Sequence, residues 1–150
     1  MTPYADTSFL AALYVLDQHS AAAAAQMKRV KLPLALSALG ELELTNALAL
    51  RVFRKELSAA HIKAAHALFT RDCAEGVLAI QPMRASVYTV AKQISRKQTP
   101  RLGTRTLDVL HIASALVLGA DTFYTFDERQ AKLAVAEGLA VPRMTGSAAG

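Results

Sequence analysis

Cysteine and acidic side chains are both scarce in this chain of 150 residues. One cysteine, Cys73, cannot close an internal disulfide, so the fold must be held by packing, and a reducing compartment suits it. No stretch reaches eighteen apolar residues, which excludes a membrane-spanning helix. The opening MTPYADTSFL has no basic residue and meets an aspartate at position 6, so no secretory leader is expected and the expected location is the cytoplasm.

What is abundant is alanine and leucine, 30 and 21 residues, and both lose little freedom on entering a helix. A hydrophobic share of 53% excludes a disordered or fibrous chain, and the length suits one domain. Seventeen Lys and Arg against twelve Asp and Glu give a net charge of +5, which points toward a polyanionic partner without naming it. The distribution is more informative than the total. Between Glu75 and Asp108 there is no acid, yet Arg84, Lys92, Arg96, Lys97, Arg101 and Arg105 fall there. Such a run is either a solvated helix face or a surface for phosphates.

Short apolar segments alternate with helical patterns along the chain. Strands are expected at 2–5, 32–37, 77–83 and 121–126, with a further short one at 141–144. Helices are expected at 8–16, 19–30, 38–55, from Ser58 to 75, 86–97, 106–118 and 128–137, with 98–105 a loop carrying Pro100 and Gly103. The 77–83 strand reads as buried. Strands separated by helices describe a parallel sheet covered on both faces.

With so few acids, each can be placed. Asp6 and Asp127 follow expected strands, and ligands of open parallel sheets bind at the carboxyl ends of strands. Asp108 lies in TLDVLHIASALVL, a helix apolar on almost every side, where a carboxylate is costly unless paired, protonated or bound to metal. His111, one turn on, shares its face. Each residue also has a plain structural reading: Asp6 and Asp127 as helix caps, Asp108 as an anion near a helix N-terminus, His111 as a hydrogen-bonded core residue and Asp121 as a turn residue. Glu41 and Glu43 compete for a fourth position on nearly opposite sides of one helix. The small, polar stripe of Glu43, Asn46 and Ala47 favours Glu43 only slightly.

The segments ADTSFL (5–10), ELELTNAL (41–48), LDVLHIASAL (107–116) and TFYTFDERQAKLA (122–134) stand in the order and spacing of the PIN-domain family. The chain most closely resembles the VapC-type toxin ribonucleases of VapBC toxin–antitoxin pairs. The resemblance implies a three-layer α/β/α fold with a central, mainly parallel sheet of four to five short strands. It implies one PIN domain over 1–144 and a flexible tail at 145–150. It settles the glutamate on Glu43 and makes Asp6, Glu43, Asp108 and Asp127 the catalytic, metal-binding quartet. Supporting groups fall on Thr7 or Ser8 and on Thr125, and Asp121 matches an acid of some members. The implied activity is RNA cleavage dependent on Mg²⁺ or Mn²⁺, because crowded carboxylates repel unless a cation neutralises them and these ions prefer oxygen. The implied partners are an RNA held by Arg96, Lys97, Arg101 and Arg105, a cognate VapB-like antitoxin, and a second copy in a helix-mediated homodimer. Two weaker alternatives are a non-catalytic PIN scaffold binding RNA or protein and a free-standing PIN nuclease of RNA processing. An aspartyl-phosphate phosphatase would want an aspartate where Ser8 stands.

Overall fold

Strands of three or four residues, too short to persist alone, lie side by side and are covered on both faces by helices. The structure, a computed structural model, describes residues 2–144. The order is β1 (Pro3–Ala5), α1 (Thr7–Tyr14), α2 (Ser20–Met27), β2 (Leu34–Ser37), α3 (Ala38–Phe53), α4 (Ala59–Ala74), β3 (Leu78–Gln81), α5 (Ala85–Leu102), α6 (Thr106–Leu118), β4 (Thr122–Tyr124) and α7 (Glu128–Ala136). The four strands are all parallel in the order β3-β2-β1-β4. This is the helix-rich α/β fold the resemblance implied.

Alternation along the strands builds two cores. Tyr4, Ala35 and Phe123 pack with Val109, Ile112 and Leu133 of α6 and α7. Ala5, Leu34, Leu36 and Tyr124 pack on the opposite face with Phe9, Leu10, Leu44 and Leu48 of α1 and α3. Side chains of successive strand residues point to opposite faces, so β1, β2 and β4 each serve both layers. Tyr4 and Phe123, paired across β1 and β4, stack with ring centroids 5.4 Å apart.

Three expectations are corrected. β3 is an edge strand with Ile80 39% exposed, not a buried one, because among the described residues it has β2 on one side and no strand on the other. Residues 141–144 form no strand; Ala140 alone bridges to Thr122. The segment 98–105 is not a loop, since α5 continues through Pro100 to Leu102. Val87, Ala91, Ile94 and Gln98 form one buried stripe along α5, and that packing overrides the local signal of the proline. Pro100 itself faces solvent in the last turn; it offers no N–H to the Arg96 carbonyl, a cost that the buried stripe outweighs. Gly103 then closes the helix at φ +66°, its N–H donating to the Thr99 carbonyl at 2.9 Å. No helix among the described residues is long and apolar enough to cross a membrane. The expected tail at 145–150 lies outside the described residues.

Two substitutions test the corrected end of α5 by urea denaturation. Gly103→Ala should lose about 1–2 kcal/mol, since only glycine takes a left-handed backbone without strain. Pro100→Ala should leave stability unchanged or raise it. A loss of about 0.4–1 kcal/mol for Pro100→Ala is the signature of an open loop, where proline restricts the unfolded chain, and would contradict the helix.

Candidate active site

Parallel strands deliver their carboxyl ends, and the N-termini of the helices that follow, to one edge of the sheet. Asp6 occupies the centre of that edge. Its backbone N–H donates to the Tyr124 carbonyl at 3.1 Å, tying β1 to β4, and its carboxylate caps α1 by accepting from Phe9 N at 3.0 Å. Ser8 Oγ donates to Oδ1 at 2.7 Å, and Thr125 Oγ1 donates to Oδ2. The side chain is fully buried. Burial raises the Asp6 carboxyl above the ordinary aspartate range, although Thr125, the His111 charge, Phe9 N and Ser8 all pull the other way. No lysine or arginine forms an ion pair with it among the described residues.

Glu43 reaches the same edge from α3. Its Oε1 accepts from Thr7 Oγ1 at 2.9 Å and pairs with Nε2 of His111. Burial disfavours the Glu43 carboxylate, but the hydrogen bond and charge of His111, helped by Thr7, outweigh it and hold the group below its ordinary range. His111 is fully buried, and its Nδ1 lies 2.8 Å from the Tyr4 hydroxyl. Tyr4 donates in turn to Ser37 Oγ at 3.1 Å, and Ser37 caps α3 by accepting from Gly40 N at 3.0 Å. Burial lifts the Tyr4 hydroxyl far above its usual range, so it stays protonated. The sequence placed Tyr4 and Ser37 only in strands; nothing in their spacing tells which helix their hydroxyls meet.

Asp108 and Asp127 each combine a helix-start role with the same edge. Asp108, 6% exposed, accepts from Arg105 N at 2.9 Å at the start of α6. Asp127, half-buried, caps α7 through Gln130 N at 3.0 Å, while its own N–H donates to Thr125 Oγ1 at 2.9 Å. The shared helix face of Asp108 and His111 does not make them partners: His111 turns to Glu43 and Tyr4. Asp121 precedes β4, a strand's length from Asp127, at the amino end of the sheet, and receives a hydrogen bond from Thr122 Oγ1 at 2.9 Å. It therefore stands apart from the carboxyl edge. Thr7, Ser8 and Thr125 all touch a carboxylate of the quartet.

Thr125 joins Asp6 to the backbone of Asp127, while Glu43 is held by Thr7 and His111 and Asp108 by Arg105 N. Among the described residues no group of three or more His, Cys, Asp or Glu is closed around a metal position. The donors nevertheless fit a hard divalent cation. Among the described residues, Glu43 Oε2, Asp108 Oδ1 and Asp127 Oδ2 accept no hydrogen bond, and no lysine or arginine pairs with the buried Asp6 carboxylate. All are oxygen ligands of the kind Mg²⁺ and Mn²⁺ take.

The basic residues sit on firmer supports than a loop. Arg96, Lys97 and Arg101 lie on α5, and Arg105 precedes α6. Lys97 pairs with Glu137 at 2.9 Å, and Arg101 donates to Gln98 Oε1 at 2.6 Å. Lys132 and Arg143, which the sequence did not single out, share a hollow with Asp127. With Thr125, Phe126, Asp127 and Met144 they line a cavity of about 530 Å³. A second hollow, sharing Lys132 and Arg143, extends to Arg101. These residues come from separate elements, so no run of charge announced them.

The fold is similar to that of VapC20 from Mycobacterium tuberculosis, described as a sarcin–ricin loop cleaving toxin. That likeness has TM-score 0.70 and 20% identity over 93% of this chain and 97% of that one. It is also similar to FitAcB from Neisseria gonorrhoeae, with TM-score 0.67 and 19% identity over 95% of this chain and 97% of that one. A toxin–antitoxin complex from Klebsiella pneumoniae gives 0.65 and 14% over 96% and 98%. No curated protein matches the sequence. The PIN domain family matches residues 4–136, which takes in every residue of the carboxylate edge, and the chain belongs to that family.

Proposed function

We propose that this chain is a divalent-metal-dependent endoribonuclease of the VapC toxin type, kept inactive by a small antitoxin. The observation that carries the reading is Asp6: a fully buried carboxylate at a parallel-sheet carboxyl edge, with no lysine or arginine paired to it among the described residues. A buried charge of that kind calls for a cation from outside the chain. Family membership, the toxin named among the similar structures and the toxin–antitoxin complex among them support the same reading.

Asp6, Glu43, Asp108 and Asp127 would hold the ion. When bound, Mg²⁺ or Mn²⁺ supplies Lewis acidity, polarising a phosphodiester and lowering the pKa of water. The rest is the work of the chain. Ser8 and Thr125 fix both oxygens of Asp6, and Thr7 fixes Glu43. Lys132 and Arg143 beside Asp127, with Arg101 further along, would hold the RNA backbone, and Arg96, Lys97 and Arg105 would extend the attraction. Leu42, Ala49 and Phe53 share an exposed stripe on α3, an apolar surface for an antitoxin or for a second copy in a homodimer. One unpaired cysteine accords with a cytoplasmic location. A non-catalytic RNA-binding scaffold has no use for a buried carboxylate without a counter-charge, so that reading is weaker.

Purified protein should cleave RNA with Mg²⁺ or Mn²⁺ and stop with EDTA. Asp6→Asn, Asp108→Asn and Asp127→Asn should each lower the rate by about a hundredfold or more. Metal-independent cleavage, or wild-type rates in these variants, would sink the site.

Asp6→Asn should also stabilise the metal-free protein near neutral pH. The folded state holds the Asp6 proton more tightly than the unfolded chain does, so the associated stability is present below the unfolded pKa and is lost as pH rises through the folded one. Asparagine caps a helix as well as aspartate does and carries no charge. Melting in EDTA should therefore show a variant-minus-wild-type gap that opens, by a few degrees, as pH rises above the ordinary aspartate range. A gap that is absent or reversed at neutral pH would contradict the burial cost.

Binding of single-stranded RNA in EDTA tests the groove. Lys132→Ala and Arg143→Ala should each reduce the salt slope by about 0.7. An unchanged slope would remove that groove from the account.

A further inference from the structure

The nuclease reading uses the carboxylates but leaves unexplained a buried polar chain behind one of them. Tyr4 and His111 are fully buried and Ser37 is 1% exposed. Neutral apolar residues of similar size would fill this space at no electrostatic cost, so a purely structural role favours replacing the network.

Starting from the α3 cap, the links run Ser37 to Tyr4, Tyr4 to His111 Nδ1, and His111 Nε2 to Glu43 in the second turn of the same helix. The circuit closes on α3 after passing through β1 and α6. It thus braces the elements that carry Asp6, Glu43 and Asp108. Both ring nitrogens of His111 are engaged, which fixes the plane of the imidazole. The Oε1 of Glu43 is held twice, by Thr7 and by His111, and its Oε2 by neither.

We propose that His111, with Tyr4 and Ser37 behind it, is a positioning residue that clamps Glu43 by Oε1 and so reserves Oε2 for the divalent cation. The inference rests on the metal-nuclease reading and adds a determinant of cation affinity that touches neither metal nor RNA. Outer groups that hold a ligand in place commonly control affinity by about 10–100-fold.

The test is Mn²⁺ binding to the full chain, followed by electron paramagnetic resonance of free Mn²⁺, with circular dichroism and melting as checks of folding. His111→Leu, close in size and without hydrogen bonds, should weaken Mn²⁺ by about 10–100-fold. His111→Gln, which keeps a donor for Glu43, should recover most of that loss. Tyr4→Phe, which removes one hydroxyl and leaves the imidazole, should weaken Mn²⁺ severalfold with the fold intact. If His111→Leu does not fold, the Tyr4→Phe and His111→Gln pair decides. Folded Tyr4→Phe and His111→Leu that bind Mn²⁺ as tightly as wild type would overturn the clamp alone. A folded wild-type chain that binds no Mn²⁺ would overturn the metal-nuclease reading and the clamp with it.

Discussion

The carboxylate of Asp6 is fully buried between β1 and β4, and the arrangement around it follows from making that tolerable. Three neutral donors, Phe9 N, Ser8 Oγ and Thr125 Oγ1, take up its oxygens. They reduce the cost of burial without cancelling it, since the carboxyl remains raised above its ordinary range. Thr125 then serves a second master, accepting from the backbone N–H of Asp127. Strand pairing, the cap of α1 and the approach to α7 thus meet at one residue.

The same economy of position recurs around the edge. Asp6, Ser37 and Asp127 are N-caps, and Asp108 sits in the first turn of α6. In a parallel sheet each helix after a strand begins at the carboxyl edge, where unpaired N–H groups and the positive end of the dipole accept anions. Acids that begin helices are therefore delivered to the place where a cation and a phosphate can be handled. The cap reading of Asp6 and Asp127 does not exclude the site proposed for them, because a helix that starts at this edge puts its capping acid there.

Much of this was legible from the chain. Period and breakers placed the strands and helices within a few residues, and the position of Asp6 and Asp127 after apolar strands pointed to the sheet edge. What failed did so for tertiary reasons. Pro100 and Gly103 read as a loop, but the buried stripe through Ile94 and Gln98 carries α5 past the proline. The strand at β3 is apolar enough to read as buried, and only the strand order shows it to be an edge. His111 shares a helix face with Asp108, yet a partner arriving from α3 claims it; helical spacing cannot see across elements. Periodicity did not choose between Glu41 and Glu43, whereas in the fold Glu43 receives Thr7 and His111. Lys132 and Arg143 were missed because a groove assembled from α7 and the segment after it leaves no local signature.

The central claim is that the buried carboxylate edge exists to hold a divalent cation. Crystals soaked in Mn²⁺ and measured at the manganese absorption edge test it most directly. The account predicts an anomalous peak among the carboxylates of Asp6, Glu43, Asp108 and Asp127. Mn²⁺-saturated crystals whose peaks all lie away from Asp6, or that show none, would contradict it.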